Sequence, residues 1–186
     1  MSLIDQLATL AIVGTVAAIG VPMISNTLEG QRLGIELRGV EREIQLARLA
    51  AVTTNRPIRV RFNCPSAGYY RRVELLGSVN NPATGWDADA EGARRCSYSY
   101  YPFPAADRDP LTRPNNDGPL LKLDRKVTFA STQTLEFWPN GTVHVASGAV
   151  AGQPWPQVAS SVSLLLSKGS TTKAIVVNSL GKIQFQ

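Results

Sequence analysis

Histidine occurs once in this chain, at His144, and cysteine twice, at Cys64 and Cys96. A zinc centre needs several nitrogen or sulfur ligands at short spacings, and one histidine without a CxxC pair does not supply them. HExxH, GxSxG and a phosphate-binding glycine loop are also missing, which removes the metalloprotease, serine-hydrolase and nucleotide chemistries those patterns carry. Catalysis requires convergent nucleophile, base or metal groups. The expectation is therefore a non-enzyme with no catalytic, metal or cofactor-binding residues and no cofactor. Asp87-x-Asp89-x-Glu91-Gly92 has the outline of a calcium loop, but the twelfth position is Tyr98 instead of a bidentate glutamate, so it reads as a solvated acidic loop. The net charge of +5 comes without any block of five Lys or Arg, so it reads as a solvated basic face before it reads as a nucleic-acid clamp.

The largest absence is charge near the start. No charged side chain lies between Asp5 and Glu29, and no Lys or Arg precedes Arg32. A helix over that gap is ~35 Å long, enough for a bilayer core of ~30 Å. An ordinary signal peptide begins with a basic segment and ends in a small-x-small cleavage site, and neither is seen. Gly14, Gly20 and Pro22 interrupt the run. In a helix interior glycine costs ~1 kcal/mol and proline ~3 kcal/mol relative to alanine, so the segment reads as helical but locally breakable.

What is present falls into an ordered series. Leu33, Leu37, Val40, Ile44, Ala47 and Ala51 repeat at steps of three or four, while Arg38, Glu41, Arg42, Gln45 and Arg48 fill another face. That is an amphipathic helix, and joined to the apolar run it gives about 50 residues of helix, ~75–80 Å long. Asn55 and Pro57 end it. Alternation over 58–62 and 69–76 predicts two strands, the first half-buried. Residues 97–101 alternate again, and 102–119 reads as a surface excursion rich in Pro, Asp and Asn. Pro139-Asn140-Gly141 predicts a hairpin that places His144 on a strand face in a structural role. After a Gly/Pro-rich link at 148–156, strands are expected at 162–166, 174–178 and 182–185, the last two forming a terminal hairpin. The fold class is α+β: a long N-terminal helical stalk packed on a C-terminal antiparallel β domain. Its parts are an apolar stalk over 1–28, the amphipathic half of the same helix over 29–55, and a globular β domain over 56–186.

Met1-Ser2-Leu3-Ile4-Asp5, Leu10-Ala11-Ile12-Val13-Gly14 and Ala17-Ala18-Ile19-Gly20-Val21-Pro22 resemble the mature N-terminus of type IV pilins and type II secretion pseudopilins. In that superfamily position 5 is a carboxylate, with a glycine at 14 and a proline at 22. The chain departs from the usual phenylalanine at Met1 and the usual glutamate at Asp5. Residues 44–48, 55–58, 135–143 and 173–183 are similar to the GspH/FimT branch, whereas 64–125 match no pattern of it. The resemblance implies a processed subunit of a helical filament. It would be anchored in the inner membrane before assembly, cut by a prepilin peptidase, and extruded by assembly machinery among identical subunits. It points first to an extracellular type IV pilus-like fibre. The alternatives are a minor pseudopilin of a periplasmic type II secretion pseudopilus and a DNA-uptake minor pilin.

Three sets of residues carry that expectation. Met1 and Asp5 are assembly residues, because a carboxylate inside an apolar bundle needs a cation and the amine of Met1, on the same or an adjacent subunit, is the nearest. The plainer role for Asp5, capping the helix N-terminus, contributes ~0.3–1 kcal/mol. A disulfide between Cys64 and Cys96 would hold the intervening loop in a compartment outside the cytoplasm, typically worth ~2–4 kcal/mol; two separate buried thiols are the alternative. DNA-uptake relatives use basic residues near the C-terminal hairpin, where this chain offers Lys168, Lys173 and Lys182, and three dispersed lysines imply weak binding at best. Arg71, Arg72, Arg94 and Arg95 are a second candidate basic patch, with pairing to acidic loops of neighbouring subunits as the alternative.

Overall fold

The computed structural model describes residues 3–75, 117–124, 126–147 and 154–186, with side chains except at 19–29 and 131. A single element dominates it: helix α1, Leu3–Thr54, 52 residues and ~78 Å long. Nine strands follow among the described residues. They are β1 (Ile58–Phe62), β2 (Tyr69–Glu74), β3 (Leu121–Lys122), β4 (Thr128–Ser131), β5 (Leu135–Phe137), β6 (Val143–Val145), β7 (Ser161–Lys168), β8 (Thr171–Asn178) and β9 (Ile183–Phe185). They form two antiparallel sheets, ordered β3-β2-β1-β5-β6 and β4-β7-β8-β9. The chain is thus α+β, with one long N-terminal helix and antiparallel sheets.

The second half of α1 packs on both sheets, touching β1, β2 and β5 of one and β7 and β8 of the other. Its stripe of Leu33, Leu37, Val40, Ile44, Ala47 and Ala51 is buried throughout. Opposite it lie the inward residues of the strands, among them Val60, Leu135, Phe137, Leu164, Leu166 and Ile175. The helix stops where Asn55 turns to φ +53°. Arg56 N–H then donates to the Ala51 carbonyl at 3.3 Å, which satisfies one of the carbonyls a helix end leaves open.

Two hairpins, β5–β6 and β8–β9, turn through the same kind of loop. Gly141 N–H donates to the Trp138 carbonyl and Gly181 N–H to that of Asn178, both at 2.9 Å. The glycines take φ of +84° and +73°, so each loop is a turn closed by one left-handed residue, and not a two-residue Asn-Gly turn. Asn140 and Asn178 side chains accept from the loop amides beyond them.

Two strand expectations change. No strand was expected at 121–122 or 128–131; β3 is two residues long and β4 is broken by a register shift between Phe129 and Ser131. The strand β1 was expected to be half-buried. Instead Arg59 is 0% exposed, because the outer face of its sheet is covered. Its Nε donates to Glu136 Oε2 at 2.7 Å, and the Trp155 ring lies 3.6 Å from its guanidinium carbon. Trp138 Nε1 completes the cluster by donating to Glu136 Oε1 at 2.6 Å. Trp155 falls in the stretch expected to be only a link. The expected strand at 97–101, the excursion at 102–116, the acidic loop at 87–92, and Arg94 and Arg95 lie outside the described residues.

Candidate assembly surface

The first half of α1 contrasts with the second. Every side chain from 3 to 18 is exposed, including Leu3, Ile4, Leu7, Leu10, Ile12, Val13 and Val16 at 58–74%. Its threonines hide their own polarity: Thr9 Oγ1 donates to the Asp5 and Gln6 carbonyls at 3.0 and 2.9 Å, and Thr15 Oγ1 to the Ile12 carbonyl at 2.8 Å. Hydroxyls bonded back to the preceding turn need no outside partner. The helix therefore presents a surface that loses little when water leaves it.

Asp5 sits in the first turn of α1, where a carboxylate meets the positive end of the helix dipole. Met1 lies outside the described residues. The helix passes Gly14, Gly20 and Pro22 without interruption in the single chain; the break at these residues is an expectation for an assembled fibre. A Cβ placed on Gly14 would meet nothing within 4 Å. Among the described residues no helix is long and apolar enough to cross a membrane. The uncharged run continues into 19–28, whose side chains lie outside the described set.

Cys64 is disulfide-bonded, and no described cysteine is free. The expected partner, Cys96, lies outside the described residues. Among the described residues no three His, Cys, Asp or Glu side chains are grouped to hold a metal.

The lysine candidates do not form one surface. Lys168 is 2% exposed, and its Nζ has no hydrogen bond among the described residues. Its charge acts on the Glu36 carboxyl against the upward push of burial, and its burial withdraws it as a nucleic-acid contact; the strand alternation that leaves Ser167 half-buried turns Lys168 inward. Lys173 is half-buried and Lys182 exposed. Arg71 is likewise buried, with Nε donating to the Gly118 carbonyl at 2.7 Å, and Arg72 is held by Glu43 at 2.7 Å.

Lys173 lines the same hollows as another cation, Arg38 on the helix. A groove of about 580 Å³ runs along Gly30, Gly34, Ile35, Arg38 and Lys173. It shares Gly34, Arg38 and Lys173 with a hollow of about 400 Å³ reaching Phe185. The two glycines lower the helix surface there; Lys173 Nζ lies 3.9 Å from where a Cβ on Gly34 would be. Lys182 lines a separate groove with Arg48, Leu49, Val52 and Leu180.

Behind these surfaces α1 carries two carboxylates toward the sheets. Burial pushes the Glu36 and Glu43 carboxyls above their ordinary range, opposed at Glu43 by the Arg72 guanidinium. Burial, reinforced by these two carboxylates, pushes the Tyr70 hydroxyl up to about 12. His144 is held structurally: Nδ1 is 2.6 Å from the Trp155 carbonyl, and its ring stacks on Trp138 at 4.4 Å.

Compared with protein-family models, curated proteins and solved structures, the chain matches none. What it can do rests on its own geometry and on the residues of its first 22 positions. The Arg59–Glu136 cluster and the Arg38–Lys173 groove both escaped sequence reasoning. The groove had a faint signal in the Gly30-x-x-x-Gly34-x-x-x-Arg38 spacing, which lines up one helix face; Lys173, well over a hundred residues on, had none.

Proposed function

We propose that this chain is a structural subunit of a type IV pilus-like helical filament, held in a membrane by the first half of α1 before assembly and packed through it afterwards. The observation that carries this is the set of seven large apolar side chains, 58–74% exposed, on a helix segment whose one charged side chain is Asp5 and whose threonines bond to its own carbonyls. Fully burying one such side chain contributes ~1.5–3 kcal/mol, so covering seven contributes roughly 10–20 kcal/mol before the cost of ordering the partners. The motifs at 1–5, 10–14 and 17–22 add the resemblance to the pilin superfamily. A contact that repeats head to tail without closing extends into a fibre. In such a packing Asp5 needs a cation, because an unpaired carboxylate in an apolar bundle loses several kcal/mol of hydration.

Full-length protein assembled from membranes and viewed by electron microscopy tests the proposal. Wild type and Asp5→Glu form filaments, while Asp5→Ala folds its β domain normally and stays out of them. Asp5→Ala filaments at wild-type yield would leave Asp5 as a helix cap only, and no filaments from wild type under any assembly condition would sink the proposal itself.

A further inference from the structure

The groove between α1 and the C-terminal hairpin is lined by two cations. Arg38 and Lys173 line both adjoining hollows, and neither makes an ion pair among the described residues. No described carboxylate side chain lines either hollow. Apolar surface flanks the pair, with Ile35 at 68% and Phe185 at 46% exposed. The missing occupant should therefore be apolar, slender enough to lie along a helix, and marked by a single negative charge. The first turns of α1 have this composition: Leu3, Ile4 and Leu7 are exposed, and Asp5 is the only charged side chain before Glu29.

We propose that the groove over Gly34, Arg38 and Lys173 seats the first turns of α1 from a second copy, with that copy's Asp5 carboxylate between the two cations. This rests on the filament reading and deepens it, since it names which surface of one subunit receives the Asp5 end of the next. A carboxylate has two oxygens and accepts from several donors at once, so a terminal amine beside it is compatible with the pairing. Charge-assisted hydrogen bonds, bidentate ones from arginine above all, are the strong ones. The apolar flanks exclude water and raise the value of the pair. The pairing also sets a stagger: Asp5 lies 29–33 positions before Gly34 and Arg38 along the helix, so parallel copies are offset by ~44–50 Å.

Charge reversal tests this in the full chain. The double variant Arg38→Glu/Lys173→Glu unfolds at the wild-type temperature, because both side chains lie outside the core, but its filament yield falls at least tenfold. Adding Asp5→Lys to that variant restores filaments, whereas Asp5→Lys alone does not form them. Independently, Ile4→Cys on one copy and Ile35→Cys on a differently tagged copy join by a disulfide under mild oxidation. Filaments of wild-type yield from the double variant would overturn the groove assignment while leaving the filament reading intact. Loss without rescue by Asp5→Lys would also overturn it, by assigning the cations to a different anion such as a lipid headgroup. If wild type itself never self-associates, both the filament reading and this assignment fall.

Discussion

Ile12 and Ile44 are the same residue type on the same helix, yet one is 63% exposed and the other 0%. The two halves of α1 differ less in their capacity to be helical than in what the chain provides to cover them. Residues 33–51 concentrate their apolar side chains on one stripe, and two sheets close over that stripe. Residues 3–18 carry apolar side chains all round, a pattern that suits full enclosure and not one-sided docking. One helix thus has two kinds of surface, one covered within the chain and one left exposed by it.

The sharpest way to break this comparison is to truncate both isoleucines. Ile44→Ala opens a cavity in a packed core and should cost ~2–5 kcal/mol, read as a lower urea midpoint with unchanged slope. Ile12→Ala should stay within ~0.5 kcal/mol by the same measurement while lowering self-association. Equal losses from both would mean the first half is covered within the chain.

Gly14→Ala probes the exposed half from the other direction. The new methyl meets nothing within 4 Å, and alanine is favoured over glycine in a helix by ~1 kcal/mol. Amide hydrogen exchange across 10–18 should slow. If packing requires the helix to break there, filament yield should fall although the isolated helix is firmer.

Asn55→Ala loosens the end of the buried half. The position is left-handed, which costs an ordinary residue ~1–2 kcal/mol, so thermal unfolding should drop by that amount and Asn55→Gly should not lower it. The smallest expected effect is at Glu36, where burial begins. Its carboxyl is raised above 4.5 by burial, so the folded state holds the proton more tightly than the unfolded chain. Its contribution to stability is present below about pH 4.5 and is lost as pH rises through the raised value. Glu36→Gln should make the decline in urea stability between pH 4.5 and 7 shallower, with Glu43 supplying what remains.

These contrasts also separate what was legible in the residues from what was not. The stripe from Leu33 to Ala51, the Asn55 stop, β1 at 58–62 and the hairpins about Gly141 and Gly181 all obey local rules of period and turn chemistry. Arg59 does not: alternation says it faces away from the core, and it does, but only the meeting with Glu136, Trp138 and Trp155 makes that second face dry. Lys168 fails for a similar reason, since the lysine count near the C-terminal hairpin does not say which side chains the fold buries, and it is 2% exposed. The candidate surface divides likewise. Asp5 and the exposed run were evident from missing charge, while the Arg38–Lys173 groove required a helix and a strand to be brought together.

The buried pair on the outer face of the larger sheet has a consequence for strand register, which its removal would test. Arg59 and Glu136 stand directly opposite each other in the β1–β5 ladder, and so do Glu136 and His144 in β5–β6. A slip of one residue turns every side chain of a strand to the other face. It would thrust a carboxylate among Val60, Phe137 and Leu164 and leave a guanidinium alone under Trp155. Replacing a buried ion pair with apolar residues is often neutral or stabilising, so the gain lies in the penalty placed on wrong alignments. Arg59→Met with Glu136→Leu should keep or raise the unfolding temperature yet refold with a larger misaligned fraction, seen as doubled amide resonances in β5. A single clean set of resonances would show that the hairpin at Gly141 sets the alignment unaided.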